Sequence, residues 1–203
     1  WEMPFSPMAL LVASGTRGFQ MLKEVFGFWC FLGMCGPVDT LPPQSPEFAS
    51  EAATMLVLVP LVEKWEGKRN VAYLDRIATP PLWTVCYGHT KNVYEGMVKT
   101  DAECTTMLRA ALVEYRDAMH LYFTDETKAE RLPPPRDAAF SSMGYNVGKR
   151  GAGKSTATRR LNAGNVSGAC QAIGWWNKAG GRVVRGSVNR RSEETKLCML
   201  GAS

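Results

Sequence analysis

The stretch EGKRNVAYLDRIATPPLWTVCYGHT, residues 66–90, decides the fold. Its two runs NVAYLD and LWTVCYGHT mix β-branched and aromatic residues with polar ones, and the chain breaker TPP separates them, a pattern that predicts a β-hairpin. The rest of the chain has the periodicity of helices on both sides of this stretch. A small sheet beside many helices predicts an α+β fold.

The helix predicted after the hairpin starts with a capping box, Thr100 to Glu103. Its spacing predicts a buried stripe along Met107, Ala111, Val113 and Met119. The segments PPPRDAAFSSMGYNVG, STATRRLNAG, VSGACQAIGWWNKAG and NRRSEETKLCML predict further helices that end at glycines. Before the hairpin, we expect a helix that is capped by Ser50 and that starts or bends near Pro60.

The first fifty residues differ in character from the rest. Residues 25–35, VFGFWCFLGMC, are uncharged and apolar but too few to span a bilayer, which takes about 20 residues in a helix. With Arg17 and Lys23 ahead of it, the run has the length of a signal-peptide core. A small amphipathic helix packed on the domain explains it as well. The sequence therefore predicts an N-terminal extension, residues 1–50, with a proline-rich linker, and a folded domain, residues 51–203.

The charge of the chain indicates what it could bind, and its cysteines indicate the compartment in which it works. The formal charge is +5, and from Lys149 onward eleven Lys and Arg residues face only Glu193 and Glu194. Anionic partners such as a membrane surface, a cell-wall polymer or nucleic acid fit this end, and so does a merely solvated surface. The six cysteines, none in Cys-x-x-Cys spacing, favour disulfides in an exported protein over reduced buried thiols.

The segment from Gly148 to Ser155, GKRGAGKS, matches the phosphate-binding loop of nucleotide hydrolases. Such a loop needs a buried strand before it, whereas the residues before Gly148 have helical spacing after a proline start. No aliphatic run ending in Asp follows to hold magnesium. We therefore expect no nucleotide at this segment.

Two carboxylates in the hairpin region have the character of a glycosidase pair. Glu66 follows Trp65 and precedes Gly67, where a partly apolar surrounding would favour the protonated form. Asp75 follows in a polar hairpin region, where it would stay ionised. Taken alone, two ordinary exposed carboxylates explain the pattern better.

The ordered motifs Glu66-Gly67, AYLD, WTVCYGHT, YNVG and NRR, together with TDAEC, GAC and KLC, carry a resemblance. In order and spacing they resemble the phage-type lysozymes of glycoside hydrolase family 24, above all the secreted endolysins of lambdoid phages. Some of those carry an N-terminal signal-arrest-release segment. The resemblance runs from about residue 54 to the end of the chain. It implies a lysozyme-like fold in which a small hairpin lobe and a helical lobe enclose a cleft.

The resemblance implies a set of catalytic roles for hydrolysis of the bond between the two amino sugars of peptidoglycan. Glu66 corresponds to the general acid, Asp75 to the carboxylate that orients or deprotonates water, and Thr84 to the residue that holds that water. A water between the two carboxylates implies inversion at the anomeric carbon. No metal or cofactor is required.

The same resemblance implies positions for substrate binding. Arg190 corresponds to the arginine that pairs with the acid glutamate and orients it, and the alternative is a surface arginine. Tyr145 and Asn146 correspond to cleft residues that touch the sugar chain, although Tyr145 fits a core position equally well. His89 corresponds to a structural histidine. For Trp175 and Trp176, core packing is the expected role, and stacking on sugars is the alternative.

The resemblance also implies a place of action and partners. We expect an exported monomer that acts on peptidoglycan in the host periplasm or cell wall, associates with the inner membrane through its N-terminal segment before release, and binds neither nucleic acid nor nucleotide. In the oxidised protein we expect disulfides Cys86–Cys104 and Cys170–Cys198, each joining neighbouring elements. Cys30 and Cys35 would then be available for exchange with the domain.

One segment departs from the family pattern. RIATPPLW, between Asp75 and Thr84, is about three residues longer than in the lysozymes it resembles, and a displacement of about 1 Å between catalytic groups costs roughly a hundredfold in rate. A non-catalytic peptidoglycan-binding or scaffold module on the same fold is therefore the alternative.

Overall fold

The predicted hairpin is present in the computed structural model, which describes residues 46–77 and 79–200. Strand β1 (Arg69–Asp75) pairs antiparallel with β2 (Leu82–Cys86), so that Tyr73 lies opposite Thr84 and Asp75 opposite Leu82. Directly opposed residues of antiparallel strands project from the same face of the sheet. Asp75 and Thr84 are therefore diagonal neighbours on one face of the hairpin.

Helices surround this hairpin in the sequence, as expected of an α+β chain. Helix α1 (Pro46–Trp65) precedes the hairpin. After it come α2 (Asp101–His120), α3 (Asp125–Glu130), α4 (Pro134–Val147), α5 (Lys149–Gly153), α6 (Thr156–Asn162), α7 (Val166–Ile173) and α8 (Arg185–Met199). Between α7 and α8 a second hairpin is formed by β3 (Lys178–Ala179) and β4 (Arg182–Val183).

Two features of the helices differ from the sequence-based expectation. Helix α1 begins at Pro46, before Ser50, and continues through Pro60. Pro60 lies on the exposed side of α1, where water can bind the carbonyl that the proline leaves without a donor. In α2 the capping box of Thr100 and Glu103 is present as predicted. Of the predicted stripe, Met119 is buried, whereas Met107, Ala111 and Val113 are only partly buried. The residues that α2 buries are Cys104, Leu108, Leu112, Arg116 and Met119.

Two hydrophobic clusters form the core, and each contains one disulfide. The first joins α1, the hairpin and the first half of α2, and includes Cys86 and Cys104. The second joins α4, α6, α7 and α8, and includes Cys170 and Cys198. The disulfides Cys86–Cys104 and Cys170–Cys198 are both formed, so the expected pairing is confirmed.

A buried carboxylate connects three helices away from the hairpin. Asp137 on α4 accepts hydrogen bonds from Arg116 Nε (2.6 Å) and Thr54 Oγ1 (3.1 Å), and its other oxygen lies 2.9 Å from His120 Nε2. Thr54 belongs to α1, and Arg116 and His120 belong to α2. One side chain thus fixes α1, α2 and α4 to one another.

The segment GKRGAGKS has a packing role here. Gly148 ends α4 with a positive φ of 87°, and the residues that follow form the short helix α5. Helix α4 thus precedes this segment, whereas a phosphate-binding loop follows a buried strand. A Cβ added to Gly153 would overlap the ring of Tyr122, so the motif's second glycine allows a close contact between α5 and the end of α2.

Several sequence-based predictions lie outside the described residues. The apolar run 25–35, Cys30 and Cys35 are among them, and the division between residues 50 and 51 stays a prediction. Within residues 46–77 and 79–200, no helix has both the length and the apolar character needed to cross a membrane.

Candidate active site

A cleft separates the hairpin lobe from α2 and α4. Its cavity has a volume of about 570 Å³. The hairpin side contributes Tyr87 to Lys91, α2 contributes residues around Ala111 and Tyr115, and the far wall carries Glu66, Tyr145 and Asn146. Three of the six predicted site residues therefore line one cavity.

Glu66 is held at the end of α1. Its backbone N–H donates to the carbonyl of Val62 (2.9 Å), which continues the helical hydrogen bonding one residue past Trp65. The side chain is partly exposed, and its Oε1 accepts a hydrogen bond from Arg190 Nη1 at 2.6 Å. The neighbour of this carboxyl is thus a cation, in place of the apolar corner that the sequence suggested.

Arg190 is almost fully buried, with only 4% of its surface exposed. Besides Glu66, its guanidinium contacts Glu194 through Nε (3.2 Å) and Ser142 Oγ through Nη2 (3.3 Å). The alternative of a surface arginine is therefore wrong. Arg191, also buried, donates from Nη2 to Asn146 Oδ1 at 2.8 Å and so orients that amide in the wall of the cleft.

Tyr145 lies in the wall of the cleft and packs, partly buried, against the core behind it. Its hydroxyl donates to the backbone carbonyl of Tyr87 at 3.0 Å, and its ring packs edge-on against Tyr115. Burial, followed by the negative charge of Glu66, raises the pKa of Tyr145 to about 12. The hydroxyl therefore stays a hydrogen-bond donor at any physiological pH.

Asp75 and Thr84 lie on the hairpin, outside the set of residues that line this cavity. Asp75 Oδ1 accepts from the backbone N–H of Ile77 at 2.9 Å, which fixes the carboxyl at the end of β1. Thr84 Oγ1 donates to the carbonyl of Leu82 at 3.2 Å, and only 3% of Thr84 is exposed. The two share a face of the hairpin, and within the described residues no hydrogen bond or ion pair joins either of them to Glu66.

The remaining sequence-based candidates have other surroundings. His89 closes the turn after β2 through two backbone hydrogen bonds of 2.9 Å with Val85, and it borders the cleft. The expectation that Trp175 and Trp176 pack in the core is wrong. Trp175 is 57% exposed with the guanidinium of Arg160 over its ring, and Trp176 is also exposed. They follow α7, which ends at Ile173, and precede the second hairpin.

Sequence reasoning missed two acids next to the site. Glu63, one turn before Glu66, accepts hydrogen bonds from Tyr87 and from Thr105 (3.1 and 2.8 Å) and so ties the hairpin lobe to α2. Glu194 lies one turn after Arg190 and is fully buried. The i, i+4 spacing of Arg190 and Glu194 was a signal that could have drawn attention to the pair.

No group of three or more His, Cys, Asp or Glu residues within 46–77 and 79–200 is arranged to hold a metal ion. The cleft itself presents an acid, an amide and phenol groups, and a guanidinium fixes the acid.

Comparison with known proteins decides the family. The family model described as phage lysozyme matches residues 63–194, which is more than half of the chain. The chain belongs to the phage lysozyme family. A SAR-endolysin of Enterobacteria phage P21 is 32% identical over 137 residues, covering 67% of this chain and 80% of that protein.

Solved structures agree with this phage lysozyme assignment. The muramidase domain of SpmX from Asticaccaulis excentricus superposes with a TM-score of 0.61 at 28% identity, covering 70% of this chain and 93% of that one. A mutant of P22 lysozyme gives a TM-score of 0.59 at 26% identity over 70% of this chain and 94% of that one. The predicted family and the α+β lysozyme-like fold are confirmed, and the chain is a glycoside hydrolase of the lysozyme type.

Proposed function

We propose that this phage lysozyme is an endolysin that hydrolyses the β-1,4 bond between N-acetylmuramic acid and N-acetylglucosamine in bacterial peptidoglycan, with inversion of configuration. The observation that carries the proposal is Glu66, a carboxyl held by a buried arginine in the wall of a cleft that also presents Tyr145 and Asn146. A fixed acid beside hydrogen-bonding groups is the arrangement that protonation of a glycosidic oxygen requires.

In this mechanism Glu66 donates its proton to the glycosidic oxygen as the bond to the anomeric carbon breaks. Because Arg190 binds Oε1, the other oxygen of Glu66, Oε2, is the one that carries the proton. Asp75 takes a proton from water, whose oxygen bonds to the anomeric carbon from the opposite face, and Thr84 accepts a hydrogen bond from that water. Inverting enzymes of this kind hold their two carboxyls roughly 6.5–9.5 Å apart.

Substrate contacts follow from the same wall of the cleft. Asn146 is held by Arg191, so its amide N–H₂ is turned toward groups in the cleft and can donate to an acetamido or hydroxyl oxygen of the glycan. Tyr145 offers the edge of its ring beside Glu66. Arg190 does not contact the glycan in this mechanism. It orients the Glu66 carboxyl, which in turn protonates the scissile bond.

We further propose that the enzyme is an exported monomer that works in the periplasm or cell wall, tethered to the inner membrane before release. Two disulfides, which persist in oxidising compartments, support export. The basic residues from Lys149 onward suit an anionic wall.

The second candidate is a peptidoglycan-binding module without turnover. Thr84 is almost fully buried and Asp75 lies outside the residues that line the cavity. Ile77, in the lengthened segment between them, is 95% exposed. On this alternative the lengthened segment holds the water-activating pair away from Glu66.

Release of new reducing ends from purified peptidoglycan separates the two candidates. We expect wild type to produce them and Glu66→Gln to lose on the order of a hundredfold to ten-thousandfold in rate. Asp75→Asn should lose a comparable factor, and Glu130→Gln, an exposed acid on α3, serves as the matched control.

Proton NMR of the first-formed reducing end tests inversion, because a β-linked substrate should give the α-anomer first. Folded wild type that binds the glycan but produces no reducing ends would establish the non-catalytic module instead.

A further inference from the structure

Four charged side chains form a continuous row behind the cleft. Glu66 Oε1 lies 2.6 Å from Arg190 Nη1, and Arg190 Nε lies 3.2 Å from Glu194 Oε1. The other oxygen of Glu194, Oε2, lies 3.0 Å from Arg191 Nη1. Two carboxylates and two guanidiniums therefore alternate from the cleft wall into the core.

Glu194 is the most enclosed member of this row. It is 0% exposed, and the hydroxyl of Ser142 on α4 donates to its Oε1 at 2.6 Å. Burial raises the pKa of Glu194 above its ordinary value, although both guanidiniums and the Ser142 hydroxyl act in the opposite direction. A carboxyl is expensive to bury, so its place against two arginines needs an explanation beyond filling space.

Arg190 poses a difficulty for a general acid. A guanidinium against Glu66 stabilises the carboxylate form, yet the proposed reaction needs the carboxylic acid. Without Glu194, two buried cations, Arg190 and Arg191, would stand behind Glu66. The carboxyl of Glu194 lies between these two cations, and in its ionised form it reduces their net charge from +2 to +1.

Resting on the proposed function, we propose that Glu194 is a positioning residue that fixes Arg190 from behind and balances the charge of the two buried guanidiniums, so that Arg190 holds the Glu66 carboxyl in one direction. Arg190 then has both ends of its guanidinium bound, Nε by Glu194 and Nη1 by Glu66. The direction of the Glu66 carboxyl is fixed in turn.

The charged and titratable groups that face this row come from three elements. Arg190, Arg191 and Glu194 belong to α8, Tyr145 faces Glu66 from α4, and Glu66 itself ends α1. Glu193, next in sequence, is outside this row and contacts Lys64 (2.9 Å) and the indole N–H of Trp65 (3.0 Å). The chain thus offers a control of identical charge, Glu193→Gln, beside Glu194→Gln.

The test compares pH profiles of kcat/KM for reducing-end release. In Glu194→Gln the row loses its inner carboxylate while both guanidiniums stay, so the alkaline limb of the profile should move to lower pH by about one unit. Loss of the hold on Arg190 should lower kcat roughly tenfold to a hundredfold with KM little changed. Glu193→Gln should change neither.

A rebalanced variant keeps the test decisive if Glu194→Gln does not fold. Glu194→Gln with Arg191→Met leaves one cation opposite Glu66, as in wild type, so no buried charge is unpaired. The alkaline limb of this double variant should lie at the wild-type pH, unlike that of Arg191→Met alone. Its kcat should be lower than that of Arg191→Met, because nothing holds Arg190 Nε. An alkaline limb that stays in place in Glu194→Gln, or a kcat in the rebalanced variant equal to that of Arg191→Met, would overturn the proposal.

A readout that needs no turnover separates this proposal from the proposed function. Hydrogen exchange of the Arg190 Nε–H, followed by nitrogen-15 NMR, should be slow in wild type and Glu193→Gln and fast in Glu194→Gln. If wild type releases no reducing ends, the proposed function fails while this exchange still decides whether Glu194 holds Arg190. Slow exchange in Glu194→Gln would contradict the assignment.

Discussion

The hydroxyl of Tyr145 donates a 3.0 Å hydrogen bond to the backbone carbonyl of Tyr87, 58 residues earlier in the chain. This bond crosses from the helical side of the cleft to the residue that follows β2. Tyr87 is tied in turn through its own hydroxyl to Glu63 on α1. The width of the cleft beside Glu66 is therefore set by side chains from both of its walls.

Replacing Tyr145 by Phe should weaken this connection without removing the ring. We expect the free energy of unfolding in urea to fall by about 1 kcal/mol, and by more if the Tyr87 carbonyl is left without a donor. Exposed Tyr94→Phe is the control. Because the pKa of Tyr145 is raised to about 12, Tyr145→Phe should leave the tyrosinate absorbance unchanged up to about pH 11. An absorbance step that disappears from the variant below that pH would contradict the buried donor.

Asp137→Asn should destabilise the protein strongly because it leaves buried Arg116 facing a neutral amide. We expect a loss of about 3–5 kcal/mol at neutral pH, against little change for exposed Asp117→Asn. Urea unfolding of the two variants and wild type measures it.

The pH dependence of that stability has a definite sign. Burial raises the pKa of Asp137, but His120 and Arg116 outweigh it, and the net pKa lies below the ordinary value of 3.8. Such a group stabilises the fold above its unfolded pKa, and this contribution is lost as pH falls through the folded value. Wild type should therefore lose stability between about pH 4 and pH 2 more steeply than Asp137→Asn. Parallel curves would contradict this.

The two disulfides should have separable effects. They link cysteines 28 and 18 residues apart, and removal of either should cost about 3–4 kcal/mol by the chain-entropy estimate. Replacing Cys170 and Cys198 by Ala should lower stability with little change in kcat. Replacing Cys86 and Cys104 should also lower activity, because Cys86 borders the cleft and anchors the hairpin to α2. Urea unfolding and reducing-end release report the two effects, and equal losses of activity would count against this division.

The glycine-rich segment after α4 should respond to substitution as a packing element. Gly153→Ala forces a Cβ into the ring of Tyr122 and should cost about 1–3 kcal/mol. Lys154→Ala, next to it and exposed, should change stability by less than about 0.5 kcal/mol. Magnesium and ATP should leave the melting temperature of wild type unchanged, and a rise abolished by Lys154→Ala would restore the nucleotide interpretation.

The parts of the fold that depend on local sequence were predictable. The hairpin could be predicted from its two strand-like runs and the TPP breaker between them, and α2 from the capping box at Thr100. Of the predicted stripe of α2, only Met119 is fully buried, because this helix contacts the protein on two sides. Leu112 faces the core and Ala111 borders the cleft, while Met107 and Leu108 contact both. A cleft uses small and apolar residues too, so composition alone does not tell the two sides apart.

The parts that depend on distant partners were not predictable from pattern. The spacing of Glu66 and Arg190, 124 residues apart, says nothing about contact, and only the resemblance pointed to the pair. The second hairpin was missed because Gly180 and Gly181 were interpreted as the end of a helix, whereas their positive φ values of 55° and 76° form a turn between strands of two residues each. Such short strands carry no alternation to detect.

The buried bonds of Asp137 have a mechanical consequence for the cleft. At 1.5 Å per residue, Thr54 lies about 18 Å along α1 from Glu66, and Asp137 lies about 12 Å along α4 from Tyr145. Helices α1 and α4 are thus fixed to each other near Asp137. Their far ends carry the proposed proton donor, Glu66, and a proposed glycan contact, Tyr145. A rotation of a few degrees at that pivot would shift both tips by close to an ångström relative to one another, so residues that never touch the glycan control how precisely it is held.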